Sequence, residues 1–213
     1  MKRSGILYVF LALCLVLCPA AGSRAETAAG GSVWGGINGD TYENTFFGLG
    51  FTCSGDVGLL DRDMTARYNG MKAEELTDEE ALRRMDDGER ILLMYGMYFL
   101  EKIVYIRAES IENELEAFDT LGLKGVAENT VGNVREYYES QGFTDVRIRV
   151  EETMVGDEAA VCMAGSYNPY SSPGYFREIW LRRGKYLVRV YIKTNWTDET
   201  EGIASGLYLL PGR

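Results

Sequence analysis

The sequence predicts an α+β domain in which an antiparallel β-sheet is flanked by helices. Three observations predict it. The second half of the chain holds four alternating runs, rich in β-branched residues and joined by Gly-containing connections. Runs of helical period, some with capping signals, lie before, between and after the strand-like segments. Beyond the N-terminal segment, no second break in composition divides the 213 residues, which leaves about 180 residues for a single core.

At the start of the chain, Lys2 and Arg3, the apolar run from Ile6 to Cys18, and the small residues Ser23 and Ala25 make the three-part grammar of a secretory signal. The apolar run is shorter than the roughly 20 residues of a spanning helix. The expected organisation is a signal peptide over 1–25, a small-residue tether over 26–33 and one domain over 34–213. An uncleaved N-terminal anchor and lipid attachment at Cys18 are the alternatives. The chain is therefore expected to be secreted or held at the cell surface, with membrane contact only through that N-terminus.

Asn38-Gly39-Asp40 supplies turn chemistry. A short strand is expected around Tyr42, and a longer one from Phe46 to Cys53. Phe47, Leu49, Phe51 and Cys53 leave that strand on one face. Gly48 and Gly50 leave it on the other, where another element can approach closely. Leu60 to Tyr68 reads as a short helix. Thr77 with Glu80 forms a capping box ahead of Leu82 and Met85. Strands are expected at Ile91 to Phe99 and Ile103 to Ala108. A helix over Val126 to Gln141 carries Val131, Val134 and Tyr138, and Gly142 stops it.

The four clearest strands are Val146 to Met154, Glu158 to Ser166, Tyr175 to Arg182 and Lys185 to Thr194. Gly156-Asp157 and Arg183-Gly184 mark tight turns, so the four read as an antiparallel meander. In the last strand Tyr186, Val188, Val190 and Ile192 share one face. Leu187, Arg189, Tyr191 and Lys193 share the other, which predicts a sheet partly covered on both sides. Asp198 with Glu201 caps a final helix bearing Ile203, Leu207 and Leu210.

Composition excludes several chemistries. The chain has no histidine, which removes Ser-His-Asp and Cys-His catalysis and most transition-metal sites. No Ser-x-x-Lys and no phosphate loop ending in Lys-Ser or Lys-Thr occurs. The acidic groups at Asp78, Glu79, Glu80, Asp86 and Asp87, and at Asp61 and Asp63, have no EF-hand spacing and read as solvated faces. No cofactor, metal or catalytic residue is expected. Net charge is −10 for the whole chain, and no cluster of Lys and Arg appears. Nucleic acid and anionic membrane surfaces are therefore not expected as partners. Cys53 and Cys162 either form one bridge or stay as buried thiols; the core-side parity of Cys53 favours the second.

The strongest interaction candidate is the connection "YNPYSSPGYF". Tyr167, Tyr170 and Tyr175 stand there among Pro, Ser, Asn and Gly, and Trp180 follows in the next strand. Tyrosines on such a loop offer large contact area with a hydrogen-bonding tip. The competing reading folds these rings back onto the sheet.

The stretch "GDTYENTFFGLGFT" resembles the opening of a family of secreted proteins and lipoproteins of Gram-positive bacteria. In that family a Gly-x-x-Tyr-x-Asn turn leads into a Phe-Gly-hydrophobic-x-Phe strand. Tyr42, Asn44, Phe47, Gly48 and Phe51 match it. "LTDEEALRRM", "IVYIRAESIEN" and "YFREIWLRRGKYLVRVYIKT" are similar to the family's next helix, strand and closing hairpin. The resemblance covers roughly Asn38 to Leu210 and implies the α/β/α sandwich of the PsbP-like superfamily. It implies a fold more than an activity: PsbP is an extrinsic photosystem II subunit, and a distant relative binds the Ran GTPase.

The function expected from these readings is a non-catalytic, extracytoplasmic binding or accessory domain contacting protein, peptide or an envelope polymer. The alternatives are a carboxylate-dependent hydrolase acting on a glycan and a chaperone-like assembly factor.

Overall fold

The structure, a computed structural model, describes residues 31–53, 56–99, 101–169 and 172–211. The expected signal peptide, most of the expected tether, and Tyr170 lie outside the described residues. The fold is α+β, with antiparallel sheets flanked by helices.

A seven-stranded sheet is the centre of the molecule. Its strands are β4 (Gly58–Leu59), β5 (Ile91–Tyr98), β6 (Lys102–Ser110), β7 (Thr144–Val155), β8 (Glu158–Asn168), β9 (Gly174–Arg183) and β10 (Tyr186–Asn195), in the order β4-β5-β6-β10-β9-β8-β7. The meander expected from β7 to β10 is present and antiparallel throughout. Gly156 and Gly184 take φ of 60° and 61° at its two tight turns, a backbone region open to glycine.

The expected single sheet is joined by a second one. β1 (Gly36–Asn38), β2 (Thr41–Asn44), β3 (Leu49–Thr52) and β11 (Leu207–Leu209) form a small antiparallel sheet. Two sequence expectations change here. The strand expected from Phe46 is shortened, because residues 45–48 turn and Gly48 takes φ of 67°. The last helix is α4, Thr200–Ala204, and Leu207–Leu209 leave it to pair with β3. A Cβ on Gly206 would lie 2.2 Å from the Thr52 carbonyl oxygen, so a glycine is what lets the chain turn into that pairing.

The opening motif builds this small sheet. Asn44 is fully buried. Its amide donates to the Val33 carbonyl and the Tyr42 hydroxyl, both at 2.8 Å, and its oxygen accepts from the Phe47 amide at 2.9 Å. Tyr42 in turn donates to the Trp34 carbonyl at 3.1 Å. One side chain thus holds strand, turn and preceding loop together, and leaves few buried polar atoms unmet. Val33, placed in the expected tether, is buried, and its amide donates to Asp78 at 2.8 Å. Gly50 lies against the Tyr208 ring, the close approach its missing side chain allows.

The helices cover the large sheet on both faces. α1 (Arg62–Tyr68) is capped by Asp61, which accepts from the Met64 amide at 2.9 Å. α2 (Asp78–Asp86) is capped by Thr77, accepting from the Glu80 amide at 3.2 Å. Ala81 and Met85 of α2, Ala66 of α1, Ile203 of α4, Leu49 and Phe51 of the small sheet and Phe47 of the turn before β3 pack on one face with Val104, Ile106, Val188 and Val190. On the other face lies α3 (Leu115–Ser140), packed on β7 and β8. It begins well before the expected Val126 and kinks at Gly122, whose φ is 69°. Phe118, Ala127 and Tyr138 of α3 form a second core with Val161, Met163, Tyr167, Phe176 and Trp180. Cys53 and Cys162 are both buried free thiols, and burial pushes the Cys53 thiol up to about 11.

Candidate functional site

The α3 face of the large sheet is covered only in part. Strand alternation puts Val104, Ile106, Ala108, Val188, Val190 and Ile192 on the fully buried face. Leu92, Tyr95 and Met97 of β5, Ile103, Tyr105 and Arg107 of β6, and Tyr191 and Lys193 of β10 leave the other way and are half-buried. α3 sits over β7 and β8 and reaches β10 at Tyr191, so the β5–β6 half of the face is the less covered one among the described residues.

A row of parallel aromatic rings crosses it. Tyr95 is the cross-strand partner of Tyr105, and Tyr105 of Tyr191. Exposed Tyr68 of α1 stacks on Tyr95 at 5.0 Å between centroids, and Tyr105 on Tyr191 at 4.7 Å. Tyr95 and Tyr105 are 6.3 Å apart at 8°. The row continues through Phe176 to Tyr138, at 6.3 and 5.2 Å. It therefore runs from solvent at Tyr68 into the core beneath α3. The Tyr138 and Tyr191 hydroxyls meet at 2.8 Å. Burial pushes the Tyr105 hydroxyl up to about 12 and that of Tyr191 well above its ordinary value. The rings lie parallel and spend their faces on one another.

Charges border the row. Glu178, the only buried carboxylate among the described residues, accepts from Arg107 and from the Trp180 indole, each at 3.0 Å. Arg189 lies 4.2 Å from the Trp180 ring centroid and pairs with Glu109 at 2.5 Å. On the other side, Lys193 is 5.8 Å from the Tyr167 ring and has no carboxylate partner among the described residues. Burial holds its ammonium below the usual lysine value.

The rim at one end of the sheet is also unusual. Phe99, in the β5–β6 turn, is 72% exposed, and Trp196, just after β10, is 56% exposed. The two segments touch, since the Asn195 amide donates to the Glu101 carbonyl at 2.9 Å. Phe99, Asp145 and Trp196 are the described non-glycine residues with positive φ, at 46°, 54° and 68°, and all three lie at this end. Bulky residues rarely adopt that conformation, and such strain concentrates at functional surfaces.

The candidate contact residues of the sequence are distributed differently from the expected loop patch. Tyr167 is 1% exposed and stacks on Phe143 at 4.9 Å, with Gly174 making room for its ring. Trp180 is also 1% exposed. Both are core residues beneath α3, on the face that carries the tyrosine row. Tyr175 leaves β9 on the opposite face, beside Arg147, Arg149 and Arg177. Tyr170 is outside the described residues. Tyr95, Tyr105 and Tyr191 are not among the sequence candidates, although their positions opposite the Val and Ile faces of their strands carry a signal.

Two surface recesses flank the sheets. One beside β1, of about 510 Å³, has Glu43 as its single carboxylate, and one beside β7 to β9, of about 320 Å³, has Asp198. A scan against protein-family models and a search of curated proteins find no match to the chain.

Proposed function

We propose that the chain is a non-catalytic, extracytoplasmic protein-binding module, and that the open half of the large sheet is the face it uses. The extracytoplasmic part of this reading is supported by the N-terminal sequence pattern. The observation that carries the binding part is the tyrosine row. Tyr95, Tyr105 and Tyr191 stack face to face, so none offers an open ring face on which a sugar could lie; Tyr95 and Tyr105 offer edges and hydroxyl tips, while the Tyr191 hydroxyl is held by Tyr138. Leu92, Met97 and Ile103 stand half-buried around them. Edges, hydroxyls and aliphatic side chains suit a protein surface, and Tyr, Trp and Arg are the residues on which protein contacts concentrate. Lys193, which has no carboxylate partner among the described residues, favours a partner with an acidic group beside its apolar ones. Glu178 is engaged by Arg107 and Trp180, which favours a structural over an acid–base role for it. The likeness to PsbP-like proteins belongs to the same proposal, supported by the antiparallel sheet with helices on both faces.

A photo-reactive residue placed at Ile103 in the full chain, expressed in its native cell, tests this. It is expected to cross-link a specific protein that the same residue at Asp157, in the distant β7–β8 turn, does not capture. Met97→Glu should abolish the adduct while the melting temperature holds. Identical adducts from both positions, or an adduct indifferent to Met97→Glu, would overturn the reading.

A further inference from the structure

The recess beside β7 to β9 opens on the face opposite the tyrosine row and has a different chemistry, so its occupant is independent of the protein-binding reading. Its geometry comes from strand register. Arg147 of β7 lies opposite Ser166 of β8, which lies opposite Tyr175 of β9. One step along, Arg149 lies opposite Ala164, and Ala164 opposite Arg177. Small residues on β8 thus make a floor, and long side chains on its two neighbours make walls. Asp198 and Thr200 close one end, leaving a recess of about 320 Å³. That lies at the small end of the volumes, roughly 300–1,000 Å³, in which small molecules bind.

Three guanidinium groups converge here on a chain of net charge −10. Arg147 has no ion pair among the described residues. Arg149 meets Glu151 only at 3.4 Å, with both groups well exposed. Arg177 is largely buried, yet its carboxylate neighbours Glu151 and Glu201 stand off at 3.6 and 3.5 Å. Its Nη1 donates to the Cys162 sulfur at 3.3 Å, and its Nε is buried with no acceptor. Thiols are weak acceptors, and a buried guanidinium N–H without a partner is uncommon. Asp198, the lining acid, is already occupied by the Thr200 amide and hydroxyl, at 3.1 and 2.7 Å. The recess therefore has donors in excess: three guanidinium groups and the hydroxyls of Ser166 and Tyr175.

We propose that this recess binds a small ligand bearing an oxyanion, a phosphate or a carboxylate group, received by Arg147, Arg149 and Arg177. Guanidinium forks match the oxygens of both groups. Glu151 and Glu201 offset part of the positive charge, so affinity for a bare anion is modest, with Kd on the order of 0.1–10 mM.

The test uses the full chain at low ionic strength, titrated by calorimetry with inorganic phosphate and, separately, with citrate. Chloride at equal ionic strength is the control. Saturable one-site binding of at least one probe is expected, weakened about tenfold or more in the Arg147→Gln/Arg149→Gln double variant. Both arginines are exposed, so the variant should keep its circular dichroism and melting temperature. Tighter phosphate binding assigns the site to a phosphate group, and tighter citrate binding to a carboxylate. Failure of both probes to saturate at about 50 mM, or equal binding by the double variant, overturns the proposal.

Discussion

Replacing Glu178 by Gln removes one charge from the centre of the α3 face and little else. The carboxylate is 6% exposed and accepts from Arg107 and from Trp180, each at 3.0 Å. Gln keeps the volume and an oxygen for the indole, so the loss is the charge. Breaking a buried ion pair from one side costs about 3–5 kcal/mol, because the partner stays buried without its counter-charge. Arg107 is a quarter exposed, at 26%, and solvent screens part of that cost. The expected destabilisation is about 2–3 kcal/mol, within the range of a charged hydrogen bond. For a domain of this length that lowers the melting temperature by about 4–12 °C. Urea unfolding of wild type, Glu178→Gln, Arg107→Met and the double variant gives the coupling energy, expected to be at least about 1.5 kcal/mol. A cost below about 0.5 kcal/mol for Glu178→Gln, the level of an ordinary surface substitution, would refute the reasoning. It would mean that water reaches the carboxylate and that α3 does not seal the row's buried end.

The same packing predicts two further outcomes. Burial raises the folded-state pKa of Tyr105 and Tyr167 to about 12, and those of Tyr138 and Tyr191 also rise. The stability these groups contribute is thus fully present below the unfolded value of about 10 and lost as pH rises from about 10 toward 12, by about 1.4 kcal/mol per pH unit for each. Urea midpoints at pH 9, 10 and 11 should fall steeply; tyrosinate absorbance showing every ring ionising near pH 10 in the folded chain would contradict this. Gly50→Ala places a Cβ 2.3 Å from Cζ of Tyr208 and should cost about 1–3 kcal/mol, read by urea unfolding. A second change, Tyr208→Ser, should remove most of the Gly50→Ala cost.

The elements that could be read from sequence are those whose signals are local. β7 to β10 are bounded by turn glycines and by side-chain alternation, and their pairing follows from short connections. The elements that escaped depend on distant partners. Ile203, Leu207 and Leu210 sit at helical spacing, but the free edge of β3 captures Leu207 to Leu209 as a strand. The helix expected from Val126 starts at Leu115, because the packing of Phe118 and Ala127 on β-strand side chains carries α3 through the kink at Gly122. Tyr167 is ambiguous in sequence for a similar reason: a tyrosine beside a Pro-rich loop suits a surface or a core, and Gly174 beneath its ring decides for the core.

The open face is the least legible feature, since it depends on how far one helix reaches. Strands lie about 4.8 Å apart and a helix with its side chains is about 10–12 Å wide. A single α3 therefore covers two or three strands of the seven. On the opposite face a second sheet and three helices share the covering, and the central strands there are aliphatic and buried. On the α3 face, β5 and β6 are left beyond its reach, β10 is met through Tyr191 at Tyr138, and the chain had to choose side chains for a surface half in water. Lys, Glu and Thr would have sufficed to keep a sheet soluble. The chain placed Tyr95, Met97, Ile103 and Tyr105 there instead, with Phe99 and Trp196 strained at the rim. Retaining aromatic and aliphatic groups where solubility favours charge is the physical reason to read this half-sheet as a contact surface.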